Sequence, residues 1–123
     1  LEVIAPVVAV RGNIDGGDLL DLPLSRVETF AGRTVAMLHI AGSPHRPRPN
    51  ARALIRESQA DVFVCGHSHI PALGRVEGAL WINPGAAGRH GFHHERTALL
   101  LHFDADGEIR MDRVLLGGRT APA

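Results

Sequence analysis

Histidine and asparagine side chains stand directly after apolar runs at three places in the sequence. His67 and His69 form a His-x-His pair behind a glycine. His39 ends a second apolar run, and Asn13 and Asp15 follow a third. Imidazole nitrogens are ligands for zinc, manganese, iron and nickel, whereas an amide oxygen suits harder ions. In a loop, a His-x-His pair can address two neighbouring ions, so these residue types indicate a transition-metal site.

Each of these residues also has a simpler interpretation. A His-x-His pair such as His67 and His69 occurs in ordinary surface loops, and a histidine that closes an apolar strand, such as His39, is often a hydrogen-bonded core residue. Asn13 tolerates left-handed turn geometry, and Asp15 can cap a turn. It is their shared position at strand ends that joins them into one candidate site.

Three short apolar segments are predicted to be buried parallel strands that position these side chains. They cover Pro6–Val10, Thr34–His39 and Asp61–Cys65. The carboxyl ends of parallel strands lie at one edge of a sheet, where open α/β folds bind their ligands. Between the second and third strands, Ala51–Gln59 has the spacing of an amphipathic helix, and we expect Asn50 to be its N-cap.

The other segments are predicted to be antiparallel hairpins and loops. The hairpins pair Ser25–Phe30 with Arg33–His39, Leu73–Val76 with Ala79–Asn83, and Thr97–Phe103 with Glu108–Leu116, while residues 40–50 and 84–95 are loops and 117–123 a frayed tail. One helix cannot cover both faces of a doubly wound sheet. Two packed sheets, or helices contributed by an upstream segment, would both satisfy the pattern.

Composition excludes several classes of protein. A chain of 123 residues is long enough for one core, and no stretch approaches the 18 apolar residues of a membrane helix. Thirteen basic and thirteen acidic residues cancel, and aromatic residues make up 4% of the chain. There is accordingly no strong signal for nucleic-acid binding. The single cysteine suits a reducing cytoplasm, where we expect the protein to be located.

Four motifs in this order resemble the calcineurin-like metallophosphoesterase superfamily. They are Gly12-Asn13-x-Asp15, His39, Gly66-His67-Ser68-His69-x-Pro71 and Asn83-Pro84-Gly85. The chain is most similar to the small bacterial and archaeal phosphodiesterases that share a fold with the retromer subunit Vps29. The resemblance implies an α/β fold in which a β-sandwich is flanked by helices, and it covers the sequence from Pro6 to Phe103.

The resemblance also implies a chemistry, in which two metal ions activate water for attack on the phosphorus of a phosphate ester. It places Asn13, His39 and His67 on one ion and His69 on the other, as catalytic ligands. The ions are divalent manganese, iron, nickel, cobalt or zinc, with manganese favoured. The substrate is a small phosphate ester or a nucleotide, as diester or monoester.

Several further side chains are expected near the mouth of this site. Arg11 and Arg89 are candidate phosphate-binding residues, since a guanidinium matches phosphate oxygens in a fork geometry. An ion pair with Asp15 would equally explain Arg11, and an ordinary surface position would equally explain Arg89. Three more histidines, His90, His93 and His94, follow the Asn-Pro-Gly motif.

The sequence also departs from the family pattern. Its Asp-x-His and Gly-Asp motifs, which supply carboxylates to the metals, are absent from these 123 residues, and Ile14 stands where many members have a proton-donating histidine. The usual His-Gly after the third family strand reads His39-Ile40 here. We therefore expect one domain over residues 1–123 that lacks the first β-α-β unit of the family.

Two consequences of that departure stay open at the level of sequence. One alternative is a non-catalytic, Vps29-like scaffold or binding protein with a degenerate metal site. In addition, strand edges exposed by a missing first unit favour pairing between copies of the chain, which would give a homo-oligomer.

Overall fold

In the described part of the chain, short strands make up most of the fold and one α-helix lies among them. The computed structural model describes residues 2–13 and 16–118. The elements are a 3₁₀ helix at Gly17–Asp21, β1 (Ser25–Phe30), β2 (Arg33–Leu38), β3 (Gly42–Ser43), β4 (Arg46–Pro47), α1 (Pro49–Ser58), β5 (Val62–Val64), β6 (Ala72–Val76), β7 (Ala79–Asn83), β8 (Glu95–Phe103) and β9 (Ile109–Gly118).

A five-stranded sheet with the order β1-β2-β5-β7-β6 forms the centre of the fold. The three inner strands run parallel, with Ala36 opposite Phe63 and Phe63 opposite Trp81, while the two edge strands are antiparallel. Parallel strands need a crossover, and α1 supplies the one between β2 and β5. As a result, β2, β5 and β7 end at the same edge of the sheet.

Each face of this sheet is covered by a different layer. On one face, Ala51 and Ile55 of α1 pack with Ala36, Phe63 and Trp81. On the other face lies a separate hairpin made of β8 and β9. Its apolar side chains pack on Val35, Val62 and Ile82; they are Leu99, Leu101, Phe103, Ile109 and Met111. The alternation of side chains along each strand sends successive residues to opposite layers. The fold is therefore the expected mixed α/β sandwich with few helices.

The segment Pro6–Val10 is not a strand, so that prediction is wrong. Its residues pair with no strand in the described part of the chain, and the backbone nitrogen of Arg11 beside it donates to the carbonyl of Pro23 at 2.8 Å. The physical reason lies in the sheet order, since β1 and β5 occupy both edges of β2. With no free edge beside the central strands, this apolar run cannot be buried as a parallel strand.

The predicted hairpins and the third predicted strand are confirmed, with shifts of a few residues at their ends. The helix begins at Pro49, and Arg48 is its N-cap, so the prediction of Asn50 is wrong. Proline has the backbone angle of a first helical residue, so it starts the helix earlier. Asn50 instead accepts a hydrogen bond from the Ala51 nitrogen at 3.0 Å.

The remaining loop and tail predictions need smaller corrections. Strands β3 and β4 form a two-residue ladder inside the predicted loop 40–50. Gly117 and Gly118 belong to β9 and are not part of a frayed tail, while 119–123 lie outside the described residues. Within residues 2–13 and 16–118, no helix combines the length and the apolar character needed to cross a membrane.

Candidate metal centre

The parallel strands deliver polar side chains to one edge of the sheet. His39 follows β2 directly, His67 lies three residues beyond the end of β5, and Asn83 is the last residue of β7. The Gly66 nitrogen donates to the His39 carbonyl at 3.0 Å, which continues the parallel pairing past the strands. The backbone thus fixes the distance between the two loops that carry His39 and His67.

Asn13 joins these two histidines across long stretches of sequence. Its Oδ1 lies 2.8 Å from Nε2 of His39 and 3.2 Å from Nδ1 of His67. The two rings meet edge to face, with centroids 5.3 Å apart. One amide oxygen and two imidazole nitrogens therefore converge in a small volume, and none of the three side chains brings a negative charge. Asp15 and Ile14, the neighbours named from the sequence, lie outside the described residues.

The loop that carries His67 and His69 has an unusual backbone. His67 has φ 71° and His69 has φ 64°, both in the left-handed region. For residues other than glycine, that region costs about 1–3 kcal/mol each and often marks a functional site. Gly66 begins the loop, and a Cβ there would stand 3.2 Å from Nδ1 of His39. A small residue at this position lets the two histidine-bearing loops approach each other.

Asn83 holds this loop in place from the end of β7. Its side-chain nitrogen donates to the Gly66 carbonyl at 3.2 Å and to the Ser68 hydroxyl at 3.0 Å. Its Oδ1 accepts from the Gly85 nitrogen at 3.0 Å, and the residue is 3% exposed. The sequence marked Asn83-Pro84-Gly85 as part of a family motif. The geometry gives Asn83 a positioning role beneath the His-x-His pair.

His69 points to a different neighbour. Its ring lies edge to face with His93, with centroids 5.2 Å apart. His93 is 4% exposed, although Phe92 before it is 95% exposed. The sequence places His93 near the site with two other histidines and assigns none of them a role. The residues around His93 show no apolar pattern that would predict its burial. The loop of residues 84–94, between β7 and β8, folds back to bring it beside His69.

The candidate histidines fall into two groups. His39 and His67 contact Asn13, and His69 contacts His93. Within residues 2–13 and 16–118, the one set of three ionisable ligands within 4.8 Å of each other is Asp104, Asp106 and Glu108. That set belongs to the exposed turn between β8 and β9, and such acidic turns are common in solution. The candidate histidines at the sheet edge are not part of that set.

The two arginines predicted to bind phosphate differ in position. Arg11 lines a cavity of about 570 Å³ together with Asn13, His39 and Arg48. Its guanidinium donates to the Leu20 carbonyl at 3.1 Å. Arg89 is exposed on the loop that leads to His93. Arg11 is therefore beside the Asn13 group, and Arg89 stays a prediction from the sequence.

The single cysteine is not a nucleophile of this site. Cys65 follows β5 and is 5% exposed. Burial raises the pKa of its thiol from 9.0 to about 11. The thiol is therefore protonated at neutral pH and is a poor nucleophile.

Comparison with known proteins gives one family. Residues 1–106 match the profile of the calcineurin-like phosphoesterase superfamily domain. A probable metallophosphoesterase of Methanothermobacter thermautotrophicus is 34% identical over 86 residues, which cover 70% of this chain and 50% of that protein. A second probable metallophosphoesterase, from Methanocaldococcus jannaschii, is 32% identical over 87 residues, which cover 70% of this chain and 44% of that protein. The chain therefore spans about half the length of these curated relatives.

Solved structures agree on the fold. Vps29 of Entamoeba histolytica, in complex with Zn²⁺, superposes with a TM-score of 0.62 at 20% identity, over 86% of this chain and 67% of that one. A predicted phosphoesterase of Streptococcus pneumoniae gives a TM-score of 0.64 at 18% identity, over 86% and 68%. At these identities the likeness concerns the fold.

Proposed function

This chain belongs to the calcineurin-like phosphoesterase superfamily, and from that premise we propose that it acts as a metal-dependent phosphoesterase. We infer that Asn13, His39 and His67 hold one divalent metal ion and that His69 holds a second. The observation that carries the proposal is the convergence of His39 Nε2 and His67 Nδ1 on Oδ1 of Asn13, at 2.8 and 3.2 Å.

The donor set fits a transition-metal ion. Imidazole nitrogens bind the divalent ions of manganese, iron, cobalt, nickel and zinc, and an amide oxygen also suits the harder manganese ion. Nε2 of His39 and Nδ1 of His67 both lie within hydrogen-bond distance of Oδ1 of Asn13, and each ring nitrogen offers a lone pair to a metal ion when it is the unprotonated nitrogen of its ring. Mn²⁺ is therefore the first ion to test. Zn²⁺ serves as the diamagnetic ion for spectroscopy.

Neutral ligands determine what the site attracts. Asn13, His39, His67 and His69 add no negative charge, so a bound dication keeps its charge for an anionic ligand. Arg11 lines the adjacent cavity and adds a further positive group. Two bound ions would supply Lewis acidity and an activated water at neutral pH. The chain's own residues hold and orient these ions and bind the phosphate.

The proposed substrates are phosphate esters with good leaving groups, diesters above all. The sequence has Ile14 where many superfamily members have a histidine that protonates the leaving group. General acid catalysis contributes about 10²–10⁴-fold, so its loss weighs most against alkyl monoesters. We further propose a cytoplasmic location, because the one cysteine is a buried, free thiol.

Hydrolysis of bis(p-nitrophenyl) phosphate by the purified chain with Mn²⁺ tests this function. We expect turnover that is lost in His67→Ala and Asn13→Ala, with His94→Ala as the matched control at an exposed histidine. Chelation should abolish activity, and added Mn²⁺ should restore it. Bound metal without turnover of any tested ester would instead support the non-catalytic scaffold. Retained turnover in both site variants would contradict the site assignment.

A further inference from the structure

We propose that His69 and His93 together hold one divalent transition-metal ion through their Nδ1 atoms. This makes His93 a metal ligand in addition to the four residues assigned above. The inference rests on the proposed function, because that function already gives His69 to one of the two ions. It goes further by naming a ligand from the loop of residues 84–94, beyond the residues that directly follow β2 and β5.

The protonation state of His93 follows from its hydrogen bond. Its Nε2 lies 2.9 Å from the Gly88 carbonyl oxygen. A carbonyl accepts and never donates, so Nε2 carries the proton, and in a neutral imidazole Nδ1 is then left with a free lone pair. This is the usual arrangement of a metal-binding histidine, in which the far ring nitrogen donates to a backbone carbonyl.

That lone pair is buried and lacks a partner in the part of the chain that the structure describes. Nδ1 of His93 has no hydrogen bond there, and the residue is 4% exposed. Leaving a buried polar atom unsatisfied costs about 1–3 kcal/mol. A fold keeps such an atom most readily where a ligand satisfies it. The ring beside it, that of His69, stands perpendicular at an interplanar angle of 84°.

The backbone of Gly91 shows that the two Nδ1 atoms lie close together. A Cβ built on Gly91 would overlap Nδ1 of His69 and would stand 3.0 Å from Nδ1 of His93. The backbone there has φ 129°, which favours glycine. Both Nδ1 atoms therefore lie within 3.0 Å of one point, so only a short distance separates them. Zinc binds imidazole nitrogens at about 2.0–2.1 Å, so one ion would bind both rings after small side-chain rotations that bring the two Nδ1 atoms to that distance.

NMR of the ¹⁵N-histidine-labelled full chain during a Zn²⁺ titration tests this directly. We expect the Nδ1 resonance of His93 to move from the range of an unprotonated nitrogen to that of a metal-bound one. Nδ1 of His69 should move in step with it. The Nε2 resonance of His93 should stay that of a protonated nitrogen, because it keeps its bond to Gly88.

Two pairs of variants separate ligation from folding. Gly91→Ala places a Cβ against Nδ1 of both histidines and should raise the Zn²⁺ dissociation constant of this site at least about tenfold. Gly88→Ala is its control, since a Cβ there meets nothing within 4 Å. His93→Phe keeps the ring volume and removes the ligand, with His94→Phe as the exposed control. Trp81 fluorescence reports whether each variant is folded.

The possible outcomes distinguish this inference from the proposed function. If His39 and His67 respond to Zn²⁺ and Nδ1 of His93 does not, the inference is wrong while the proposed function stands. The same holds if His69 responds through Nε2 alone, because His93 would then be a neighbour and not a ligand. If none of the four histidines responds, the proposed function fails as well. Retention of the His69 and His93 response in His39→Ala would establish a separate site.

Discussion

Replacement of Asn83 by alanine should destabilise the domain and weaken metal binding together. Asn83 makes three hydrogen bonds, to the Gly66 carbonyl, the Ser68 hydroxyl and the Gly85 nitrogen. A net hydrogen bond contributes about 0.5–1.5 kcal/mol, and the exposed Ser68 hydroxyl can return to water at the low end of that range. The Gly66 carbonyl and the Gly85 nitrogen are only partly exposed, so their bonds lie higher in that range. The total loss in the free energy of unfolding is therefore about 2–3 kcal/mol.

The effect on metal binding has a separate cause. His67 and His69 are held in left-handed backbone conformations that each cost about 1–3 kcal/mol. Without the bonds from Asn83, this loop can relax toward ordinary backbone angles and move both imidazoles. Loss of such supporting contacts lowers metal affinity by about 10–100-fold, and we expect the Mn²⁺ dissociation constant to rise by that factor.

Urea denaturation and calorimetric Mn²⁺ titration measure the two effects on the same samples. Asn50→Ala is the matched control, because Asn50 is exposed and has a local bond to the next residue. We expect that control to change stability by less than about 0.5 kcal/mol. Asn83→Asp keeps the acceptor for Gly85 but loses the donor to Gly66, so it should weaken metal binding as well. If Asn83→Ala matched Asn50→Ala in both measurements, the positioning role would be refuted.

Three further predictions concern the core and the turns. Burial raises the pKa of the Cys65 thiol from 9.0 to about 11, so the folded state favours the protonated form. The free energy of unfolding should therefore be unaffected below pH 9 and fall by about 2–3 kcal/mol between pH 9 and 11, and Cys65→Ala should not show this loss. Gly85 has φ 82°, and a Cβ there would overlap Oγ1 of Thr97. Gly85→Ala should therefore lower the free energy of unfolding by about 3 kcal/mol, whereas Gly88→Ala should leave it nearly unchanged in the same urea denaturation. Trp81, the single tryptophan, is 0% exposed, so iodide should not quench its fluorescence until the chain unfolds; strong quenching of the native protein would contradict the packing.

Most of the fold was predictable because its elements depend on local patterns. The turn at Ala31-Gly32 and the apolar face of α1 are read directly from adjacent residues, and both are confirmed. Pro6–Val10 failed for a reason that is not local. Its composition suits a buried strand, but β1 takes the edge of β2 that such a strand would need. The availability of a sheet edge is decided by the whole sheet.

The sequence by itself determined which side chains are chemically available and that His39 and His67 follow strands which end together. That much follows from strand periodicity and from the rule that parallel strands share a carboxyl edge. Only the tertiary structure decided which atoms meet. Asn13 reaches His39 across 26 positions and His67 across 54, and the loop of residues 84–94 buries His93 beside His69. Contacts of this kind depend on how layers and loops pack in three dimensions, and no period in the sequence records them.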